Sequence, residues 1–276
     1  MPIAHPSSRT YRVLAGLIRP LLFATTVRDW KGAEHLPTQG GFVAAGNHLS
    51  NFDPLTFAHF LYDNGRAPRV LAKSSLWKVP GLGWALSRSG QIPVHRNTSS
   101  AGRSLEPAVA ALRDGTCVAV FPEGTLTRDP DLWPMTAKTG VARLALDADV
   151  PVIPIAQWGA QDILPRYSKR LRPFPRKRVW VHAGPAVDLD DLRARPRDAA
   201  TLREATARVM DAITALLEEI RGEQAPEVRF DLNAARRAER DAAASAAAPD
   251  AATPAPSDDA GASPDPTDDA QEGPRA

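Results

Sequence analysis

The chain has 276 residues, a net charge of +2 and a single cysteine, Cys117. This length suits one α/β domain with appendages, and the lone cysteine excludes an internal disulfide framework and suits a reducing compartment. Residues 241–276 hold eight acidic residues and one arginine, which leaves a charge of about +9 on residues 1–240. A basic body of this kind favours a phosphate-bearing partner, either anionic lipid or nucleic acid.

The first predicted element is an apolar run at residues 11–27, interrupted by Arg19 and Pro20. The run is shorter than the roughly 20 apolar residues of a membrane-spanning helix. Two structures fit it: helices that lie in the membrane interface, or a buried N-terminal helix that caps the core. Because aromatic and basic residues flank the run like interfacial anchors, we assign residues 1–30 to a membrane-docking helical segment. No stretch there resembles a cleavable secretory signal.

Apolar runs and helical patterns then alternate along the chain. Six short runs are typical of buried strands, at residues 41–47, 69–73, 91–94, 116–121, 151–156 and 178–184. Helical patterns lie at residues 54–63, 99–114, 137–147 and 198–221. This alternation predicts an α/β fold, with a mostly parallel central sheet and helices on both faces. We place this domain at residues 31–225.

The composition changes towards the end of the chain. Residues 226–245 fit a helical extension, whereas residues 246–276 consist mainly of Ala, Pro, Asp, Ser and Thr. Such a segment cannot bury enough apolar area to offset the entropy of ordering the chain. We therefore expect a disordered acidic tail at residues 246–276.

The most specific motif, NHLSNFDP at residues 47–54, directly follows the first of the six strands. His48 and Asp53 then lie at a strand-to-helix turn, where α/β sheets usually place ligand sites. A neutral imidazole there can act as general base, and the carboxylate can hold its other ring nitrogen, as in a triad whose nucleophile is the substrate. The alternative is that Asp53 is only the N-cap of a helix beginning at Pro54.

Two more motifs also lie at strand ends. In VFPEGT, residues 120–125, Gly124 allows a tight turn whose backbone N–H groups can face a ligand. Glu123 can bond a hydroxyl of an acceptor or brace the loop, and an ordinary Pro-Glu-Gly turn is the alternative. In GQIPVHR, residues 90–96, a strand leads into Arg96 after a segment that mixes basic residues with tryptophans.

These motifs, together with VPVIPIAQWG at residues 150–159, resemble in order the four motif blocks of the lysophosphatidate acyltransferase family, the PlsC-like glycerolipid acyltransferases. The resemblance covers residues 30–185. It implies transfer of a fatty acyl group from acyl-CoA or an acyl-carrier protein to a lysophospholipid in phospholipid biosynthesis, with 1-acyl-sn-glycerol-3-phosphate as the expected acceptor. It also implies an N-terminal membrane-docking helical pair. We expect no cofactor beyond the co-substrate and no metal, since no cluster has ligand spacing.

The resemblance assigns roles residue by residue. His48 matches the catalytic base and Asp53 its partner, and acceptor binding falls to Arg96, Glu123, Gly124 and Thr125. The family commonly has an arginine directly after the Gly-Thr pair, where this chain has Leu126. We therefore expect Arg128, or Lys138, to contact the acceptor phosphate; otherwise the head group differs from plain phosphate.

A basic stretch at residues 166–178 contains seven basic residues and no acidic one. Near anionic lipid each Lys or Arg adds about 1 kcal/mol of attraction; nucleic acid and a solvated loop are the alternatives. We favour the membrane and expect no nucleic-acid partner. The protein is then a peripheral or monotopic protein at the cytoplasmic face of the cell membrane.

One other mechanism and two other functions remain open. Ser50 could form an acyl-enzyme, water could replace the acceptor and make the His-Asp pair a hydrolase, or the domain could be a basic membrane-binding protein with a relic site. A relic has no physical reason to keep the motif residues together, so we favour the transferase. Cys117 lies within a strand and suits the core better than a nucleophilic role.

Overall fold

The computed structural model describes residues 7–94 and 103–247. Within them, seven strands form one sheet: β1 (Thr26–Lys31), β2 (Phe42–Gly46), β3 (Arg69–Lys73), β4 (Ile92–Val94), β5 (Cys117–Val120), β6 (Val152–Trp158) and β7 (Lys177–Ala183). Their order is β1-β7-β6-β2-β5-β3-β4. Strands β6, β2, β5, β3 and β4 are parallel to one another, whereas β7 is antiparallel to β6 and parallel to β1.

Helices cover both faces of this sheet. They are α1 (Arg9–Thr25), α2 (Asp53–Asp63), α3 (Leu82–Arg88), α4 (Glu106–Arg113), α5 (Gly140–Ala148), α6 (Ala160–Ile163), α7 (Asp190–Arg193), α8 (Ala199–Arg221) and α9 (Leu232–Ala247). Val43 and Ala45 of β2 point to the face that packs α4, α5 and α8. Phe42 and Ala44 point to the face that packs α2 and α6. The alternation places β2 in the middle of the core, and the predicted mostly parallel α/β sheet is confirmed.

Strand β1 was not predicted. Residues 1–30 were assigned to one docking segment, but α1 ends at Thr25 and Thr26–Lys31 pairs along its whole length with β7. Of the six residues of β1 only Thr26 is buried, because the strand lies at the edge of the sheet. An edge strand of this kind lacks the apolar run that identified the other six.

Helix α1 caps the domain on one side and is exposed on the other. Arg19, which interrupts the apolar run, points inward and pairs with Asp63 of α2 at 2.7 Å. The outer side carries apolar residues that are 62–66% exposed, Val13, Leu17 and Leu21. The resemblance implies an N-terminal helical pair. In the described residues a single helix, α1, is found there, and β1 follows it. No helix in the described ranges is long and apolar enough to span a membrane.

A second compact unit begins at Asn233. Its described part, residues 233–247, lies within α9, and residues 233–243 are mostly exposed. The predicted helical extension at 226–245 is helical only from Leu232. Of the predicted tail at 246–276, the first two residues complete α9 and the rest lie outside the described residues.

Candidate active site

His48 and Asp53 meet at the carboxyl edge of the sheet, where His48 lies two residues beyond the end of β2. Nδ1 of His48 lies 2.9 Å from Oδ2 of Asp53. The same oxygen accepts the backbone N–H groups of Leu49 and Ser50 at 2.5 and 2.7 Å. Phe52, not Asp53, occupies the N-cap of α2. The alternative of a simple N-cap is therefore wrong: the fully buried Asp53 carboxylate closes the loop and orients the imidazole.

The imidazole of His48 is fixed on one face and contacts Asp53 through one of its two ring nitrogens. Its ring stacks on Phe121, with centroids 4.2 Å apart and planes 17° apart. Because Asp53 accepts from Nδ1–H, Nε2 is the nitrogen left to take a proton. The His48 side chain is 15% exposed, so a substrate can reach it without the ring being surrounded by bulk water.

Glu123 holds the backbone of His48. One carboxylate oxygen accepts the His48 N–H at 3.0 Å and the other accepts the Met135 N–H at 3.1 Å. The carbonyl of His48 accepts the N–H of Thr127 at 2.8 Å. Burial raises the pKa of Glu123 to about 8. The two backbone hydrogen bonds have the opposite effect and lower this pKa, but burial is the larger effect. The geometry thus gives Glu123 the bracing role; direct contact with an acceptor remains a prediction.

Gly124 makes the turn that brings Glu123 into place. Its φ is +70°, in the region where residues with a side chain are strained. Its N–H donates to the carbonyl of Phe121 at 2.9 Å. This amide therefore closes the turn and does not face a ligand, contrary to one expectation from the motif.

Asn47 and Gln157 form a buried pair. Both lie within the sequence motifs, but the motifs alone assign them no role. Nδ2 of Asn47 donates to the Gln157 carbonyl at 3.0 Å, and the Gln157 N–H donates to Oδ1 of Asn47 at 2.8 Å. Nε2 of Gln157 donates to the Asn47 carbonyl at 3.2 Å. Buried amides must be satisfied, so polar residues at the ends of two apolar strands were a signal that could have found this pair.

Comparisons with known proteins point to acyltransferases. A family model described as Acyltransferase matches residues 28–158. The 1-acyl-sn-glycerol-3-phosphate acyltransferase of Borreliella burgdorferi is 26% identical over 191 residues, covering 69% of this chain and 71% of that protein. The alpha enzyme of that name from Bos taurus is 31% identical over 192 residues, covering 69% and 62%. Over this region the chain is similar to the 1-acyl-sn-glycerol-3-phosphate acyltransferases.

Two further matches define the extent of the likeness. The chloroplastic 1-acyl-sn-glycerol-3-phosphate acyltransferase BAT2 of Brassica napus is 31% identical over 156 residues, and the match spans 56% of this chain but only 44% of that protein. The crystal structure of the 1-acyl-sn-glycerophosphate acyltransferase PlsC from Thermotoga maritima superposes with a TM-score of 0.58 at 21% identity. This structural match covers 78% of this chain and 81% of the other and is a likeness of fold.

This chain differs from the family pattern at residue 126, where it has a leucine in place of the usual arginine. Leu126 is buried, and Arg128 is exposed, with its guanidinium 4.6 Å from the ring centroid of Tyr167. Nη1 of Arg166 donates to the carbonyls of Thr127 and Asp129, both at 2.8 Å. Arg166 thus holds the loop from which Arg128 extends. The assignment of Arg128 to acceptor binding remains a prediction.

The other two candidate phosphate ligands differ in position. The side chain of Lys138 runs beside Gly124, with Cδ 3.4 Å from the position that a Cβ on residue 124 would take. Lys138 therefore approaches the VFPEGT turn; its contact with an acceptor phosphate remains a prediction. Arg96 lies outside the described residues.

Ser50 is not free to act as a nucleophile. Its hydroxyl donates to the Leu164 carbonyl at 2.6 Å and accepts the Phe52 N–H at 3.0 Å, and the residue is fully buried. Burial raises the pKa of the Cys117 thiol, which lies in the core. Neither group supports an acyl-enzyme.

An apolar cavity of about 300 Å³ lies between α1, α2 and the segment from β3 to α3. Its wall includes Pro54, the residue next to Asp53, and continues along both helices through Leu14, Ile18, Leu22, Leu55 and Ala58. The size and lining suit a hydrocarbon chain. Across the described ranges, no group of three or more His, Cys, Asp or Glu side chains could hold a metal ion.

Proposed function

We propose that the protein is an O-acyltransferase that moves a fatty acyl group from a thioester donor to a lysophospholipid hydroxyl in phospholipid biosynthesis. The proposed acceptor is 1-acyl-sn-glycerol-3-phosphate, and the donor is acyl-CoA or an acyl-carrier protein. One observation carries the proposal: Asp53 fixes His48 through Nδ1, so that Nε2 is the nitrogen not engaged by Asp53, on a side chain that is 15% exposed. The likeness to the Acyltransferase family model and the names of the similar proteins support the choice of acceptor.

In the proposed reaction, Nε2 of His48 takes the proton of the acceptor hydroxyl as that oxygen attacks the thioester carbonyl. The tetrahedral intermediate then collapses, the carbon–sulfur bond breaks, and the thiolate leaves with the proton returned by His48. Asp53 stabilises the imidazolium between these steps. General-base catalysis of this kind contributes roughly 10²–10⁴ in rate.

The surrounding contacts suit this role because they fix His48 before substrate binds. Glu123 and Thr127 hold its backbone N–H and carbonyl, and Phe121 stacks on its ring. A base held in this way needs little reorganisation in the transition state. The apolar cavity beside Pro54 is the proposed site of a substrate acyl chain.

We further propose that the protein docks on an anionic membrane surface at the cytoplasmic face, as a peripheral or monotopic protein. The exposed apolar side of α1 is linked to the basic stretch 166–178 by Arg176, whose Nη2 donates to the carbonyls of Phe23 and Thr26. Within that stretch Leu171 is 57% and Phe174 67% exposed among the basic residues. Exposed apolar side chains next to basic ones suit an anionic bilayer.

The experiment that tests the proposed function measures thiol release from acyl-CoA with and without 1-acyl-sn-glycerol-3-phosphate, with products identified by mass spectrometry. We expect release only with acceptor, formation of the diacyl product, and loss of both in His48→Ala. Equal release without acceptor would instead support the hydrolase. No release with acyl-CoA or with acyl-carrier protein would contradict an acyltransferase.

A further inference from the structure

Arg221, the last residue of α8, lies between two tryptophan rings. Its guanidinium carbon is 3.9 Å from the ring centroid of Trp133 and 4.6 Å from that of Trp158. Nη1 donates to the carbonyl of Asp131 at 2.8 Å, and Nη2 bonds the exposed Glu223 at 2.6 Å. The side chain is 10% exposed. A planar guanidinium can stack on both rings, which the compact ammonium of a lysine cannot do.

Trp133 connects Arg221 to the loop after the VFPEGT motif. The carbonyl of Trp133 accepts the hydroxyl of Thr127 at 2.7 Å, which closes the loop 127–133. Two residues further on, the N–H of Met135 donates to Glu123, whose other oxygen holds the N–H of His48. A shift of this loop would therefore move Glu123 and, through it, the backbone of His48.

Trp158 connects Arg221 to His48 by a second route. It is the last residue of β6 and directly follows Gln157. Gln157 is bonded three times to Asn47, the residue before His48. Trp133 and Trp158 therefore each begin a separate series of contacts, and both series lead to His48.

We infer that Arg221 is a positioning residue for the catalytic loop: it holds Trp133 and Trp158 together and so fixes both supports of His48. Arg221 touches no reacting atom. Its effect on turnover rests on the proposed function, whereas its effect on the loop does not. The test therefore needs one measurement of activity and one that is independent of activity.

The activity measurement compares Arg221→Gln and Arg221→Lys with a matched control, Arg208→Gln. Arg208 lies on the same helix and pairs with Asp191 and Glu204 at the surface. We expect kcat per folded molecule to fall about tenfold or more in both Arg221 variants, since small displacements of a catalytic group cost up to about 10² in rate. Arg208→Gln should keep the wild-type kcat.

Hydrogen–deuterium exchange supplies the independent measurement. In Arg221→Gln we expect faster exchange in peptides covering residues 46–52 and 132–137, which contain the His48 and Met135 amides, with β6 residues 152–156 unchanged. If Arg221→Gln does not fold, Trp133→Phe weakens the same stack and is measured in the same way. Unchanged exchange, or a loss of kcat no larger than the loss of folded protein, would overturn the inference. A wild-type protein without transferase activity would contradict the proposed function and leave the exchange result to decide the role of Arg221.

Discussion

His48 is held mainly through its backbone, so we expect its side chain to matter more for catalysis than for folding. Replacing it with alanine removes the stack on Phe121 and one bond to Asp53, while the Leu49 and Ser50 amides keep their acceptor. We expect His48→Ala to lose roughly 10²–10⁴ of the rate with a thermal midpoint near that of the wild type. Asp53→Ala should lose activity and also lower the midpoint, because buried N–H groups left unpaired cost about 1–3 kcal/mol. Turnover of His48→Ala above a tenth of wild type would contradict the mechanism.

Arg128 is the residue on which acceptor recognition can be tested most directly. A charge-assisted contact with phosphate contributes about 1.5–3 kcal/mol, so Arg128→Ala should raise the KM for 1-acyl-sn-glycerol-3-phosphate on the order of tenfold. The KM for the donor should not change. A monoacylglycerol acceptor serves as the control, since it has no phosphate to lose. Equal, small effects on both acceptors would remove Arg128 from the site and leave Arg96 and Lys138 as candidates.

Glu123 makes stability depend on pH. Its pKa rises from an ordinary 4.5 to about 8 because the carboxyl is buried, so between these values the folded state binds more protons than the unfolded one. The free energy of unfolding therefore falls as pH rises and levels off above about pH 8. Burial lowers the pKa of His59 to about 4, which makes stability rise with pH up to about 6.5.

The interval from pH 6.5 to 8.5 isolates the contribution of Glu123 from that of His59. Across it we expect wild-type unfolding free energy to fall by about 1–2 kcal/mol, measured by denaturant titration at several pH values. Glu123→Gln should be less stable, because one of the two backbone N–H groups then meets an amide donor. Its stability should nevertheless vary less with pH over the same interval. Equal slopes in the two proteins would show that Glu123 is already ionised at pH 6.5.

At the scale of the element, the two sides of α1 differ in their surroundings. Its inner side pairs Arg19 with Asp63 and lines the apolar cavity, whereas its outer side exposes Leu17 and Leu21. The sequence run 11–27 fits either an interfacial helix or a buried helix that caps the core. In the structure α1 packs on the domain through its inner side, and Leu22 is its only buried residue. Docking of the exposed side on a membrane remains the proposal.

Replacing Leu17 and Leu21 with glutamine tests that proposal. Burying a leucine side chain contributes about 1.5–3 kcal/mol, so the double variant should bind vesicles containing an anionic phospholipid at least tenfold more weakly in sedimentation. Folding should be unaffected, because both residues are 65–66% exposed. Val228→Gln is the control, since Val228 is 83% exposed and lies outside α1 and the basic stretch. Equal binding of all three proteins would place the membrane contact elsewhere.

At the scale of the whole molecule, the composition predicts that the fold does not require residues 246–276. Residues 246–276 are acidic and rich in Ala and Pro, without the apolar residues that a core requires. We expect deletion of these residues to change neither specific activity nor the thermal midpoint, measured on the purified full-length and shortened proteins. A midpoint lowered by several degrees would show that this segment binds the domain.

The sequence by itself determined the features that depend on neighbouring residues. Alternating apolar runs and helical patterns predicted six of the seven strands within the described ranges. They also predicted α2, α4, α5 and α8, but not the short helices α3, α6 and α7. His48 and Asp53 are five positions apart, and such a spacing closes within one strand-to-helix turn. The motif order also carried the resemblance to the lysophosphatidate acyltransferase family.

Only the tertiary structure decided how the site is supported. Glu123 lies 75 positions from His48, and Gln157 lies 110 positions from Asn47. They meet because β2 lies between β5 and β6, so that the carboxyl ends of three parallel strands share one edge. Periodicity reports which residues are buried but not which strands are neighbours. For the same reason, the stacking of Arg221 between two tryptophans could not be predicted from spacing, since strand order and the packing of α8 determine it.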